Sequence, residues 1–258
     1  MSDTALRVRS ASEIVDAAFK LYARNIGQYI LVTGVAYSPS LIGTLLFRPD
    51  QTDSVGSAVG YLVTALISII AMVLMTGTVT ALGSRAYLGE PLDVAASARQ
   101  AVRRVPALLL SGFLTIFLWI LGFLCFVVGF FYVASRFFAT TAVIVLENKG
   151  AVASFGRSSQ LTKGRMWHVL GTLLLVYAIY LFGSFAVSAV SIASGSFLVL
   201  TLISTLYTIV AFPIVALASM VLYYDMRIRA EGFDLERLAQ ELGEPSPAAA
   251  SSPDVALS

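Results

Sequence analysis

One cysteine, Cys125, and one histidine, His168, are present in 258 residues. The first excludes an intramolecular disulfide and a thiolate metal cluster, and the second leaves no histidine pair for a metal site. Charge is scarce as well. Asp, Glu, Lys and Arg together make up 12% of the chain, about half of what soluble domains carry. The long apolar stretches contain no carboxylate, so neither an acidic relay nor the paired carboxylates of a hydrolase can be assembled within them. No nucleophile with a base and no histidine with an acid is visible, so no catalytic residue and no cofactor are expected. His168, beside Trp167, reads as an amphipathic ring at a membrane interface. The first 28 residues lack the apolar core of a secretory signal.

What the chain has instead is apolar length. Apolar residues make up 58% of it, and the mean hydropathy is +0.85. A helix needs about 20 apolar residues to cross a hydrocarbon core about 30 Å thick. The run from Ala107 to Leu146 would measure about 60 Å as one helix, so it must fold back, with the turn near Cys125 to Gly129. That gives six spans, at about 29–47, 55–84, 107–124, 128–146, 169–193 and 197–224. The expected fold class is an all-α polytopic membrane protein.

The cations provide an independent check. With six spans, every Lys and Arg except Arg48 and Arg136 falls on one side, whereas five spans would scatter them over both faces. Short cytoplasmic loops carry such an excess, so both termini are expected in the cytoplasm. Three basic segments each precede a helical pair. Ser10 and Glu13 form a capping-box pattern, and Ile14, Val15, Ala18, Phe19 and Tyr22 recur at helical spacing, a stripe suited to lying in the membrane surface. Leu92 to Val105 reads as a short helix with Arg99, Arg103 and Arg104, closed by Pro106. Val152, Phe155, Gln160, Leu161 and Met166 alternate with Arg157, Lys163 and Arg165. This suggests three loose units, about 10–88, 92–149 and 151–229, although any six-span chain obeying the charge rule would have basic segments at these places. Beyond the spans, 225–242 reads as a cytoplasmic amphipathic helix. The Pro-, Ala- and Ser-rich stretch 243–258 has the composition of a disordered tail.

Two features inside the spans carry polarity. Arg136 lies ten positions before Leu146, about 15 Å by helix rise, which would set it near mid-bilayer. A charge there costs about 2.5 to 3.5 kcal/mol on insertion scales. Two readings are open: a structural one, in which carbonyls freed at the turn near Gly129 satisfy the guanidinium or it snorkels to the outer surface, and a functional one, in which it binds an anion or lipid phosphate. The second feature is a seam of Tyr177, Tyr180, Ser184, Ser188 and Ser191 along one helix face. Small and hydroxylated residues of this kind serve close helix packing or a solute path. Thr76, Thr80 and Ser84, and Thr201, Thr205 and Thr208, repeat the pattern, and Gly56 with Gly60 makes a small-xxx-small pair.

The run Ser135-Arg136-Phe137-Phe138-Ala139, then Val145-Leu146-Glu147, Arg157-Ser158, Leu161-Thr162-Lys163-Gly164-Arg165-Met166-Trp167 and Tyr223-Tyr224-Asp225-Met226-Arg227-Ile228-Arg229-Ala230-Glu231-Gly232-Phe233-Asp234 resembles a bacterial family. This is the glycerophosphoryl diester phosphodiesterase membrane-domain family, and the resemblance spans about residues 8 to 240. In that family the phosphodiesterase activity belongs to a separate soluble barrel, whose histidine and carboxylate signature has no match here. The resemblance thus implies a membrane domain standing alone.

The expected function is a non-enzymatic membrane scaffold or accessory subunit. Its basic segments, with Arg136, Arg157, Lys163, Arg165, Arg103 and Arg104 as candidate contacts, would grip anionic lipids and hold a protein partner or a second copy. Nucleic acid is not an expected partner. The alternative is a transporter or channel for a small or lipid-like anion, with Arg136 as its binding residue. An intramembrane enzyme acting on lipid phosphates would lack a base.

Overall fold

A computed structural model describes residues 7–47, 55–124 and 126–233, and among them the chain is helical with no strand. Among these residues ten helices follow one another: α1 (Ala11–Arg24), α2 (Ile26–Leu46), α3 (Val55–Leu88), α4 (Val94–Val102), α5 (Val105–Leu124), α6 (Phe126–Phe137), α7 (Thr140–Leu146), α8 (Ala151–Leu161), α9 (Met166–Ala193) and α10 (Phe197–Glu231). Among the described residues six segments are long and apolar enough to cross a membrane: α2, α3, α5, Val128–Leu146, α9 and α10. The chain is a multi-pass membrane protein built as three antiparallel hairpins, α2–α3, α5–α6 and α9–α10. A short polar helix precedes each hairpin, α1, α4 and α8 in turn.

The spans are thinly packed and their ends are not. Only 6% of the most apolar window of α3 and of α9 is buried, which leaves faces such as Leu62, Leu66, Phe182 and Phe185 for hydrocarbon. With 34 and 35 residues, α3 and α10 each measure about 50 Å, roughly 20 Å more than the bilayer core. The core gathers toward the C-terminal end of each. Buried residues of α3 run from Met75 to Tyr87, and those of α10 from Pro213 to Ile228. Gly83 permits this approach, since a Cβ there would strike the Leu217 side chain. Gly43 does the same for the α2–α3 hairpin against Thr64, and Gly60, one of the predicted small pair, receives the Phe47 ring.

Four expectations change. The α1 stripe does not lie in the membrane surface. Ile14, Val15, Ala18, Leu21 and Tyr22 are buried in the main core, against α9 and α10, while Phe19 remains exposed. Hydrophobic periodicity says that a stripe is covered without saying by what. Its N-terminus forms the expected capping box, with the Ser10 amide 2.8 Å from Glu13 Oε2. The fourth span is not one helix either, because α6 stops at Phe137 and α7 starts at Thr140. The sixth span, α10, continues past Tyr224 to Glu231, where Gly232 at φ 64° ends it in the left-handed conformation. The stretch 225–231 therefore belongs to this helix and does not begin a separate one. The remainder of the expected 225–242 helix beyond Phe233, the 243–258 tail, Arg48, Arg237 and Cys125 lie outside the described residues. Finally, Pro106 opens α5 rather than closing α4: it is the second residue of α5, where its missing amide costs nothing.

Candidate functional site

Part of the charge of the basic segments meets the C-terminal ends of α3 and α10, where Arg157 and Arg165 join two clusters on α10. In the first, Asp225 is buried with its side chain fully covered. Its Oδ1 accepts the Arg9 amide at 2.7 Å. Its Oδ2 accepts Arg229 Nε at 2.7 Å and lies 3.1 Å from His168 Nε2. Arg229 also donates to the Arg9 carbonyl, and Arg165 donates to the Arg229 carbonyl, both at 2.7 Å. One carboxylate thus ties the N-terminal segment, α9 and α10 together. Beside it Tyr224 shares a 2.6 Å hydrogen bond with Ser84 and stacks on Tyr87.

In the second cluster Arg157 bridges two acids. Its Nε is 2.9 Å from Glu147 Oε2, and its terminal nitrogens reach both oxygens of Glu231. Glu147 also accepts Tyr223 at 2.9 Å and pairs with Lys149 at 3.2 Å. Arg227 adds an ion pair to Glu231 and lies over the Phe233 ring, 3.9 Å from its centroid. Burial alone would push the Glu231 carboxyl up and the Arg157 guanidinium down. The hydrogen bonds and charges between them prevail, so Glu231 is held below its ordinary value and Arg157 above.

These contacts relocate several residues singled out from sequence. Arg157 is turned inward, with 17% of its side chain exposed. Arg165 is held by the Arg229 carbonyl, and Arg104 donates to Asn148 Oδ1 at 2.7 Å. Asn148 itself adopts a left-handed turn between α7 and α8, a conformation Asn tolerates better than most residues. Lys163 and Arg103 are exposed, and their side chains meet no hydrogen-bonding or ionic partner among the described residues. His168 does have an acid partner, contrary to expectation. Fifty-seven residues separate it from Asp225, and only the antiparallel hairpin of α9 with α10 brings them together.

Arg136 sits at the helix break. Its carbonyl accepts the Ser158 hydroxyl at 2.9 Å, with Thr162 Oγ1 3.5 Å away. The Ala139 amide donates to the same Ser158 hydroxyl at 3.3 Å, and Thr140 caps the Phe137 carbonyl at 2.7 Å. Three backbone groups at the break, the Arg136 and Phe137 carbonyls and the Ala139 amide, are thus satisfied by side chains, as membrane helices require. The half-buried Arg136 guanidinium takes no part, and it meets no polar partner among the described residues. The expected depth of about 15 Å assumed uninterrupted helix rise and does not apply across the break.

The polar seam of α9 divides. Tyr180 packs on Tyr207 and Phe212 of α10, and the Tyr207 hydroxyl donates to the Tyr180 carbonyl across a gap kept open by Gly183. Tyr177 is exposed, Ser184 and Ser188 are half-buried, and the Ser191 side chain lies outside the described residues. A recess between α1, α9 and α10 offers about 50 Å³, lined by Val15, Phe19, Val176, Tyr180 and Tyr207 among others. That is room for a few waters at most, in apolar surroundings. Among the described residues no three His, Cys, Asp or Glu side chains are grouped to hold a metal. Compared with protein-family models, with curated proteins and with solved structures, the chain matches none.

Proposed function

We propose that this protein is a non-catalytic membrane scaffold or accessory subunit whose basic end holds anionic lipid headgroups and a protein partner. The observation that carries the reading is the division of the cations. Arg157, Arg227 and Arg229 are spent on carboxylates and fix the loops into one packed platform. Arg136, Lys163 and Arg103 remain on that platform with no carboxylate beside them. A cation near an anionic leaflet contributes about 1 kcal/mol, and a rigid platform spares the ordering cost of presenting several at once. The basic end is read as cytoplasmic because short cytoplasmic loops carry the Lys and Arg excess, which puts both termini in the cytoplasm. The resemblance to the phosphodiesterase membrane-domain family supports a bacterial inner membrane. It is in keeping with this reading that Glu147, Arg157, Tyr223, Asp225 and Glu231, residues on which the resemblance rests, belong to the two linked clusters. The thin spans and the small apolar recess favour a platform over a solute path.

Extraction from the native membrane in polymer-bounded lipid discs, with mass spectrometry of what co-purifies, tests the proposal. Enrichment of anionic phospholipid over the bulk membrane, with or without a stoichiometric protein, is expected. A lipid complement equal to the bulk membrane and no companion protein would sink it.

A further inference from the structure

We infer that Arg136, with Lys163 beside it, binds the phosphate of a single anionic phospholipid where α6 breaks against the turn between α8 and α9. This rests on the headgroup reading above and gives it one site and one chemical group. Ser158, Thr162 and Thr140 take the Arg136 and Phe137 carbonyls and the Ala139 amide, and the guanidinium donates to no carbonyl of the break among the described residues. A charge in an apolar segment without an anionic partner or a route to water is costly, and this one has no protein partner among the described residues.

Among the described residues the carboxylates of the two clusters are already engaged. Glu147 is taken by Arg157, Lys149 and Tyr223, and Asp225 by Arg229 and His168. Lys163 follows Thr162 directly and is exposed, so a second cation stands next to the residue that touches the Arg136 carbonyl. Tyr132, one turn before Arg136 on the same face of α6, and Trp167, near the start of α9 after the loop that holds Lys163, are both exposed. Exposed Tyr and Trp belong at the level of the headgroups. Phe137 packs edge-on against Phe155, with ring centroids 5.1 Å apart, which fixes α8 against the end of α6. A planar guanidinium offers two parallel donors to phosphate oxygens, with a compact ammonium as a second point charge. The lipid is favoured over a soluble phosphate because the flanking helices expose Val128 and Leu174, which suit acyl chains and would do nothing for a free ion.

The test is native mass spectrometry of the full chain in detergent, titrated with phosphatidylglycerol or with phosphatidylcholine of the same chains. The wild type is expected to retain one phosphatidylglycerol in preference to phosphatidylcholine. Arg136→Gln should weaken that retention by roughly tenfold or more, and Lys163→Gln by about fivefold. Lys20→Gln, whose charge is paired with Asp16 at 2.9 Å, should leave it unchanged. Arg136→Lys keeps the charge and loses the fork, so partial retention is expected. Together with the exposed Lys163 variant, it carries the test if Arg136→Gln does not fold. Unchanged retention in folded Arg136 and Lys163 variants overturns this site and leaves the headgroup reading standing. No preference in the wild type removes both. Displacement of the lipid by excess inorganic phosphate overturns the lipid assignment in favour of a soluble anion.

Discussion

Ser158 donates its hydroxyl to the Arg136 carbonyl at 2.9 Å and receives the Ala139 amide at 3.3 Å, so one side chain closes the gap between α6 and α7. Ser158 is fully buried, and water cannot replace it cheaply. Ser158→Ala should cost about 1 to 3 kcal/mol through the unpaired backbone groups, read as a lower thermal midpoint in detergent. An unchanged midpoint would mean the break is held by something else.

Arg157 bridges Glu147 and Glu231 from α8 to α7 and α10. Arg157→Met would leave two acids facing each other without their common partner, and a loss of about 3 kcal/mol is expected. Arg157→Lys should recover only part of it, because an ammonium cannot serve both carboxylates with fork geometry. Chemical denaturation of the two variants in matched detergent decides the matter. Equal stability of Lys and wild type would contradict the bridging role.

Asp225 fastens the N-terminal segment by accepting the Arg9 amide and by orienting Arg229 onto the Arg9 carbonyl. Asp225→Ala should therefore release residues 7–10 as well as lower stability, since Arg229 and His168 lose their buried acceptor. Hydrogen exchange at the Arg9 amide should accelerate by an order of magnitude or more. Protection equal to wild type would show that the latch lies elsewhere.

Two carboxylates are held below their ordinary value of 4.5. Glu13 is lowered to about 2 by the Ser10 amide, the Ser10 hydroxyl and Arg7. Glu231 is lowered by Arg157 and Arg227 despite its burial. A depressed carboxyl contributes stability that is complete above its unfolded value and is lost as pH falls through the folded one. Thermal midpoints should stay level down to about pH 5, then fall between 4.5 and about 2. Glu231→Gln should start lower at neutral pH and show a shallower acid limb. A wild-type acid limb as flat as that of the variant would refute the assignment.

The sequence by itself determined the elements whose cause is local or imposed by lipid. Hydrocarbon thickness and the need to satisfy every backbone group fix span number and approximate length from hydropathy alone, and the six spans follow. The Ser10–Glu13 cap was legible because both partners lie within one turn. Tertiary structure decided the rest. Arg136-Phe137-Phe138-Ala139 contains no Gly or Pro, and the helix breaks there because Ser158, twenty-two residues on, offers its backbone a partner. Charged composition after Tyr224 suggested a new element, yet α10 continues to Gly232 because a helix ends where its backbone changes conformation and not where it leaves the membrane. The seam along α9 was visible as a pattern, but pattern does not choose between a neighbouring helix and lipid, and the structure gives Tyr180 to α10 while leaving Tyr177 exposed. All six candidate cations are visible in the sequence, but only packing decides that Arg157 meets Glu231, Arg104 Asn148 and Arg165 the Arg229 carbonyl, while Arg136, Lys163 and Arg103 meet no polar partner among the described residues.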